Sequence, residues 1–156
     1  MSPKVSNFDK LIRQVEDIFV DNIPFNKLLG MHIESLDFDC AKVRIDMREE
    51  LVGNFIQGIL HGGVIASVLD VTGGMTAFLG QVKKMGDIPD QAKLQRLATF
   101  GTIDLRVDYL RPGKGKYFIS EGRVLRAGNK VVVARIELFN EARDLIAAGT
   151  GTYVAV

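Results

Sequence analysis

The chain has a single cysteine, Cys40, among 156 residues. One thiol closes no internal disulfide, and no Cys/His cluster has the spacing of a zinc site. A reducing compartment is the default, so a cytoplasmic location is expected. Neither sign of charge is in excess, since 20 Lys and Arg stand against 19 Asp and Glu, a net of +1. That balance excludes a strongly basic nucleic-acid binder and an acidic tail protein, and leaves room for local basic patches. The start, MSPKVSNFDKLIRQ, lacks the apolar core of a signal peptide. Internal repeats, linkers and low-complexity stretches are also missing. Apolar residues at 47% and charged residues at 25% are globular values and argue against disorder. The length predicts one domain, large enough to bury its core without a disulfide or metal. Glycine, at 16 residues, is abundant for so short a chain.

One stretch raises a membrane question. Residues 51–69 carry no Asp, Glu, Lys or Arg, and about 18–20 apolar residues can span a bilayer. Asn54, Gln57, His61 and four glycines interrupt it, and Asp70 follows at once. Polar groups at mid-membrane are costly, so a segment buried in a protein core is expected, with no membrane span.

Periodicity supplies the elements. Phe8, Leu11, Ile12, Val15, Ile18 and Phe19 share one helical face, which predicts an amphipathic helix over 7–20 ahead of Pro24. Strands are expected at 31–38 and 41–48, then a loop at 51–60. Residues 64–79 are almost uniformly apolar, with Asp70 the one charge, as in a helix buried on all sides. Within it Gly73-Gly74 lowers helix propensity, and so must permit close packing or leave space. A short helix is expected to end near Leu97. At 102–110, Ile103, Leu105, Val107 and Tyr109 alternate with Thr102, Asp104, Arg106 and Asp108, predicting a strand with Thr102 on its polar face. Strands at 116–126, 130–140 and 145–155 follow, joined by hairpins. The expected class is α+β, an antiparallel sheet of about six strands wrapped around one long central helix.

The chemistry centres on the start of that helix. Gly62 and Gly63 leave unpaired N–H groups unshielded where the helix dipole favours negative charge. Such donors can hold a carbonyl oxygen as it becomes an oxyanion; otherwise they mark a tight turn. Asp70 is either paired with Arg106 or Arg44 or caps another element, or it is a general base or nucleophile. Gly62 and Asp70 are eight residues apart, about 12 Å along a helix, so one reacting carbonyl cannot touch both. If both serve one reaction they come from different chains, with antiparallel helices meeting across a two-fold axis. His61 either bonds backbone in the turn or helps seat a substrate carbonyl. Asn54 is either a loop residue or orients water or substrate.

These residues resemble a known family. ILHGGVIASVLDV at 59–71, with Asn54 upstream, is similar to the Asn…His-Gly-Gly…Asp motif of hotdog-fold acyl-CoA thioesterases of the PaaI type. GTIDLRVDYLRPG at 101–113 and LRAGNKVVVARIELFNE at 125–141 look like that family's later strands. The resemblance implies hydrolysis of medium- to long-chain acyl-CoA to free acid and coenzyme A, although the motif itself does not set chain length. It implies Asp70 as base or nucleophile, the Gly62 N–H beside His61 as carbonyl polariser, and Asn54 as positioner of substrate or water. It implies a Thr102 hydroxyl assisting from the partner subunit, a homodimer assembled into a dimer of dimers, and no cofactor beyond the coenzyme A of the substrate.

The basic turns have two readings. Arg111, Lys114 and Lys116 cluster in one turn, and Arg126, Asn129 and Lys130 surround another. They are either solvated charges or a seat for coenzyme A phosphates. Gly73, Gly74, Met75 and Phe78 are expected to shape an acyl pocket. Two rivals belong to other classes. A hotdog hydratase pairs a His with an acid at a different spacing, whereas this chain has only His32 and His61. A non-catalytic acyl-CoA sensor usually carries a DNA-binding segment, whereas the N-terminal helix here is single and not basic.

Overall fold

A computed structural model describes residues 7–155. The predicted first helix is α1 (Asn7–Glu16), continued by a π-helical turn at Asp17–Asn22. A short α2 (Pro24–Leu29), which periodicity did not announce, follows. Pro24 is preset for a first helical turn, and Gly30 ends the helix with φ 67°, a left-handed conformation that suits glycine.

β1 (His32–Leu36) and β2 (Cys40–Asp46) form the expected hairpin. The expected loop at 51–60 contains a small ladder instead, β3 (Val52–Asn54) against β4 (Ile59–Leu60). The central helix α3 (Gly62–Met85) runs 24 residues, about 36 Å, past the predicted limit. Its last turn places Lys83 and Lys84 at the negative end of the helix dipole. α3 is long and apolar enough to cross a membrane, but 67% of its most apolar stretch is buried inside the fold, as in a core helix. After α4 (Asp90–Gln95) come β5 (Phe100–Tyr109), β6 (Tyr117–Ala127), β7 (Val131–Asn140) and β8 (Leu145–Ala155).

The main sheet has the order β1-β2-β6-β7-β8-β5, antiparallel throughout, and wraps around α3. Alternate residues of β7 (Val132, Ala134, Ile136 and Leu138) are fully buried beneath the helix with Val68, Leu69, Phe78 and Leu79. The fold therefore encloses α3 from Thr72 to Val82, whereas Gly62, Val64, Ala66, Ser67, Asp70 and Val71 are only half-buried and Gly63 is exposed, so the expected burial on all sides holds for the second half of the helix alone. The expected α+β architecture is the one observed.

The helix can lie so close because glycine stands where the sheet presents a large group. A Cβ on Gly73 would run into the Tyr153 hydroxyl and the Ile136 side chain. Gly73→Ala is therefore expected to cost about 1–3 kcal/mol of stability, read as a lower Tm. A Tm at or above that of the unsubstituted protein would contradict this packing.

Candidate active site

Asp70 sits on α3 facing β5 and is half-buried. Thr102 Oγ1 donates a hydrogen bond of 2.9 Å to Asp70 Oδ1. The expected ion-pair partners are elsewhere. Arg44 is held by Asp46 and Glu34, and Arg106 by Asp108. Among the described residues Asp70 has no cationic partner in an ion pair. Burial pushes its carboxyl pKa above the usual carboxylate range, and the Thr102 hydrogen bond opposes that only in part.

Thr102 reaches Asp70 through a β-bulge. Strict alternation places Thr102 on the face opposite Leu105 and Val107. In the structure Thr102 pairs with Tyr153 while Asp104 pairs with the adjacent Thr152, so Ile103 is an extra residue in the ladder. The shift turns Thr102 to the helix-facing side together with Leu105 and Val107, correcting the face expected from sequence. Thr102 and Asp70 therefore belong to one chain and reach any site together.

Tyr153, not singled out by the sequence, lies behind this pair. Its hydroxyl donates to the Asp70 backbone oxygen at 3.1 Å, and burial raises its pKa. The available signal was one large aromatic closing the run of small residues at 147–152. Asp70, Thr102 and Tyr153 contribute to the wall of a cavity of about 480 Å³. The rest of that wall is mainly apolar, from the π-helical turn, α2, Leu97 and Phe100. Of the four residues expected to shape an acyl pocket, Gly74 lines this cavity. Met75 and Phe78 are fully buried core residues, and Gly73 makes room for Tyr153, which corrects their expected role.

The second group gathers at the start of α3. His61 is the N-cap, and its Nδ1 accepts the Gly63 N–H at 2.8 Å. The Val64 and Ile65 N–H groups both reach the His61 oxygen. The Gly62 N–H is left as the first-turn donor that no acceptor of the described chain takes. Tyr109, also unanticipated, donates to the Gly62 oxygen at 3.0 Å. Asn54 Oδ1 accepts from Ile56 and Gln57, closing the β3–β4 turn, while its amide nitrogen has no partner among the described residues. His32 lies on β1, the sheet edge opposite β5, and makes no hydrogen bond or ion pair with His61 among the described residues.

One chain thus carries two half-sites. Asp70 with Thr102 forms one; Asn54, His61 and Gly62 form the other, two helical turns away. The basic turns are likewise separated. Arg111 is beside the helix start, where Leu60 N–H donates to the Gly113 oxygen, and its guanidinium donates to the Leu145 oxygen. Lys114 and Lys116 are exposed in the same turn. Arg126, Asn129 and Lys130 lie at the other end of β6, where Lys84 Nζ donates to Asn129 Oδ1. The eleven residues of β6 span about 35 Å, so within one chain no nucleotide touches both sets.

Comparison with known proteins agrees with this architecture. The thioesterase superfamily pattern matches residues 57–147. The medium/long-chain acyl-CoA thioesterase YigI of Escherichia coli K12 is 45% identical over 146 residues, covering 94% of each chain. A crystal structure from Shewanella oneidensis, described as related to the thioesterase superfamily, superposes with a TM-score of 0.90 at 51% identity, covering 94% of this chain and 96% of that one. The Escherichia coli PaaI protein shares the fold, with a TM-score of 0.76 at 20% identity, covering 96% of each chain. A sheet curved around one long helix, the His-Gly-Gly entry to that helix and the family match together place this chain in the thioesterase superfamily, with the hotdog fold.

Proposed function

We propose that the protein hydrolyses medium- to long-chain acyl-CoA thioesters to the free acid and coenzyme A. The observation that carries this reading is Asp70: a half-buried carboxylate without an ion-pair partner among the described residues, held by Thr102 in the wall of an apolar cavity. A carboxylate with a raised pKa is a better general base, and the apolar wall suits an acyl chain.

In this mechanism the thioester carbonyl oxygen accepts the Gly62 N–H of one chain. Asp70 of a second chain removes a proton from water as the water oxygen attacks the carbonyl carbon. The negative charge of the tetrahedral intermediate rests on the Gly62 donor at the positive end of α3. Collapse breaks the carbon–sulfur bond, and the departing thiolate of coenzyme A takes the proton that Asp70 removed from water, which restores the carboxylate. Attack by Asp70 itself, giving a mixed anhydride that water then opens, uses the same geometry. The Asn54 amide is free to donate to substrate or water, and His61 holds the turn that presents Gly62.

The two-chain site requires a homodimer. The ten-residue strand β5 ends the sheet with an unpaired edge and exposes Ile103 and Tyr109, at 56% and 55%, which supports joining there. Phe55 and Ile56, at 85% and 82% exposed beside Asn54, supply further apolar surface for the partner. A dimer of dimers would bring basic turns of different copies toward one nucleotide, with Arg111, Lys114 and Lys116 nearest Gly62. No cofactor enters the scheme, and the setting is the cytoplasm. A panel of acyl-CoA esters of increasing length, with free coenzyme A as readout, tests the reading. Turnover rising with chain length supports it, and no release at any length overturns it.

A further inference from the structure

Asp70 and Gly74 are four residues apart on α3, one turn and about 6 Å along its axis. Both line the 480 Å³ cavity. A Cβ built on Gly74 meets Tyr153 Cε1 at 3.5 Å and Cδ1 at 3.8 Å, which are ordinary contacts. Packing therefore demands glycine at 73 and not at 74. Glycine also weakens a helix interior, so position 74 carries a cost that the fold does not require. What the missing side chain does is leave the cavity open one turn beyond Asp70.

The wall across from Gly74 is built to hold its position. Ile18 and Phe19 come from the π-helical turn, whose altered hydrogen bonding frees backbone carbonyls. Asn26, at 1% exposed, donates from Nδ2 to the Phe19 oxygen at 2.8 Å and ties that turn to α2. Leu97 and Phe100 complete the wall. A methyl group at position 74 contacts only Tyr153 and projects into the cavity, so it narrows a space whose other wall is pinned rather than loose.

Resting on the thioesterase reading, we infer that Gly74 is the position that determines acyl-chain length. With the thioester carbon at Asp70, a linear acyl chain runs along α3, crosses Gly74 within the first turn and ends among Phe19, Leu97 and Phe100. The ligand class is an unbranched apolar chain long enough to pass that turn.

The test is kcat/KM for Gly74→Ala and Gly74→Leu across straight-chain acyl-CoA esters from acetyl to palmitoyl. Gly74→Ala is expected to lower kcat/KM for the longer esters by about 10–200-fold, the effect of one methylene in a tight pocket. Gly74→Leu lowers it further, and for both variants the loss shrinks toward the acetyl and butyryl esters, whose chains are the shortest. The Tm of Gly74→Ala is expected to rise by about 2–4 °C, because a helix glycine has been replaced without a clash. Leu97→Ala, which widens the opposite wall, should shift the preference toward longer chains even if Gly74→Leu does not fold. A length profile for Gly74→Ala that superimposes on the unsubstituted one would overturn the assignment, as would an equal loss at every length. Failure of the unsubstituted protein to release coenzyme A from any ester would instead overturn the thioesterase reading beneath it.

Discussion

Asp70→Asn is expected to lower acyl-CoA turnover by about 10²–10⁴-fold, the usual contribution of a positioned general base. The fold should survive. Asn is the same size, and its side-chain oxygen can still accept the Thr102 hydroxyl. Stability should move the other way from activity. Burial raises the Asp70 pKa in the folded protein, whereas in the unfolded chain a carboxyl titrates near 3.9. Below about pH 4 both states are protonated, and the buried carboxyl carries no charge penalty. As pH rises, the unfolded state ionises first, so stability is lost until pH passes the raised folded value. The Asn variant escapes this loss, so its advantage in Tm grows from about pH 4 upward and then levels off once pH has passed the raised folded value. Thermal melts at several pH values, beside a coenzyme A release assay, check both parts. A variant that hydrolyses normally, or one that is destabilised at neutral pH, would contradict the assignment. The same pKa requires activity in the unsubstituted protein to rise with pH through a value above the ordinary carboxylate range, because the base must be ionised.

The second large effect concerns the oxyanion donor. Gly62→Pro deletes one N–H and little else. Position 62 is the first residue of α3, where proline is favoured because its missing hydrogen is an unpaired donor in any case. His61 already has φ −64° and ψ 135°, the extended conformation that a residue before proline adopts. A Cβ at 62 comes within 3.4 Å of Tyr109 Cε1, at the end of an exposed side chain that can give. The expected loss is about 10²–10³-fold in kcat, with KM changed far less, since the donor matters most as charge develops on the oxygen. A full-rate Gly62→Pro enzyme would show that the helix start holds no carbonyl.

Much of this was legible before any coordinates. Asp70 stood out because one charge in sixteen apolar helical positions needs an explanation, and the eight-residue gap to Gly62 already meant that, if both serve one reaction, they come from two chains. β7 was readable as a strand, since it pairs on both sides and buries every second residue; β8 was placed by its hairpin, because Ile146, Ala147 and Ala148 are all buried and show no alternation. The failures have a common physical cause, in that they depend on partners distant in sequence. The bulge at Ile103, which turns Thr102 toward Asp70, exists only in the register against β8. The difference between Gly73 and Gly74 is set by Tyr153, about 80 residues away. The small ladder at Val52–Asn54 and Ile59–Leu60 is too short for periodicity to show. The distance between the two basic sets follows from the long antiparallel β6, which sends successive turns to opposite ends of the sheet.

The central claim is that each active site takes Gly62 from one chain and Asp70 with Thr102 from another. Co-expression of Asp70→Asn with Gly62→Pro, each inactive alone, tests it most directly. Random pairing makes about half of the dimers mixed. In a mixed dimer both substitutions fall in one site and the other site is intact. Recovery to about a quarter of the unsubstituted activity is therefore predicted. A mixed population that shows hydrolysis no higher than either variant alone, with mixed dimers demonstrated by differential tagging, would contradict the account.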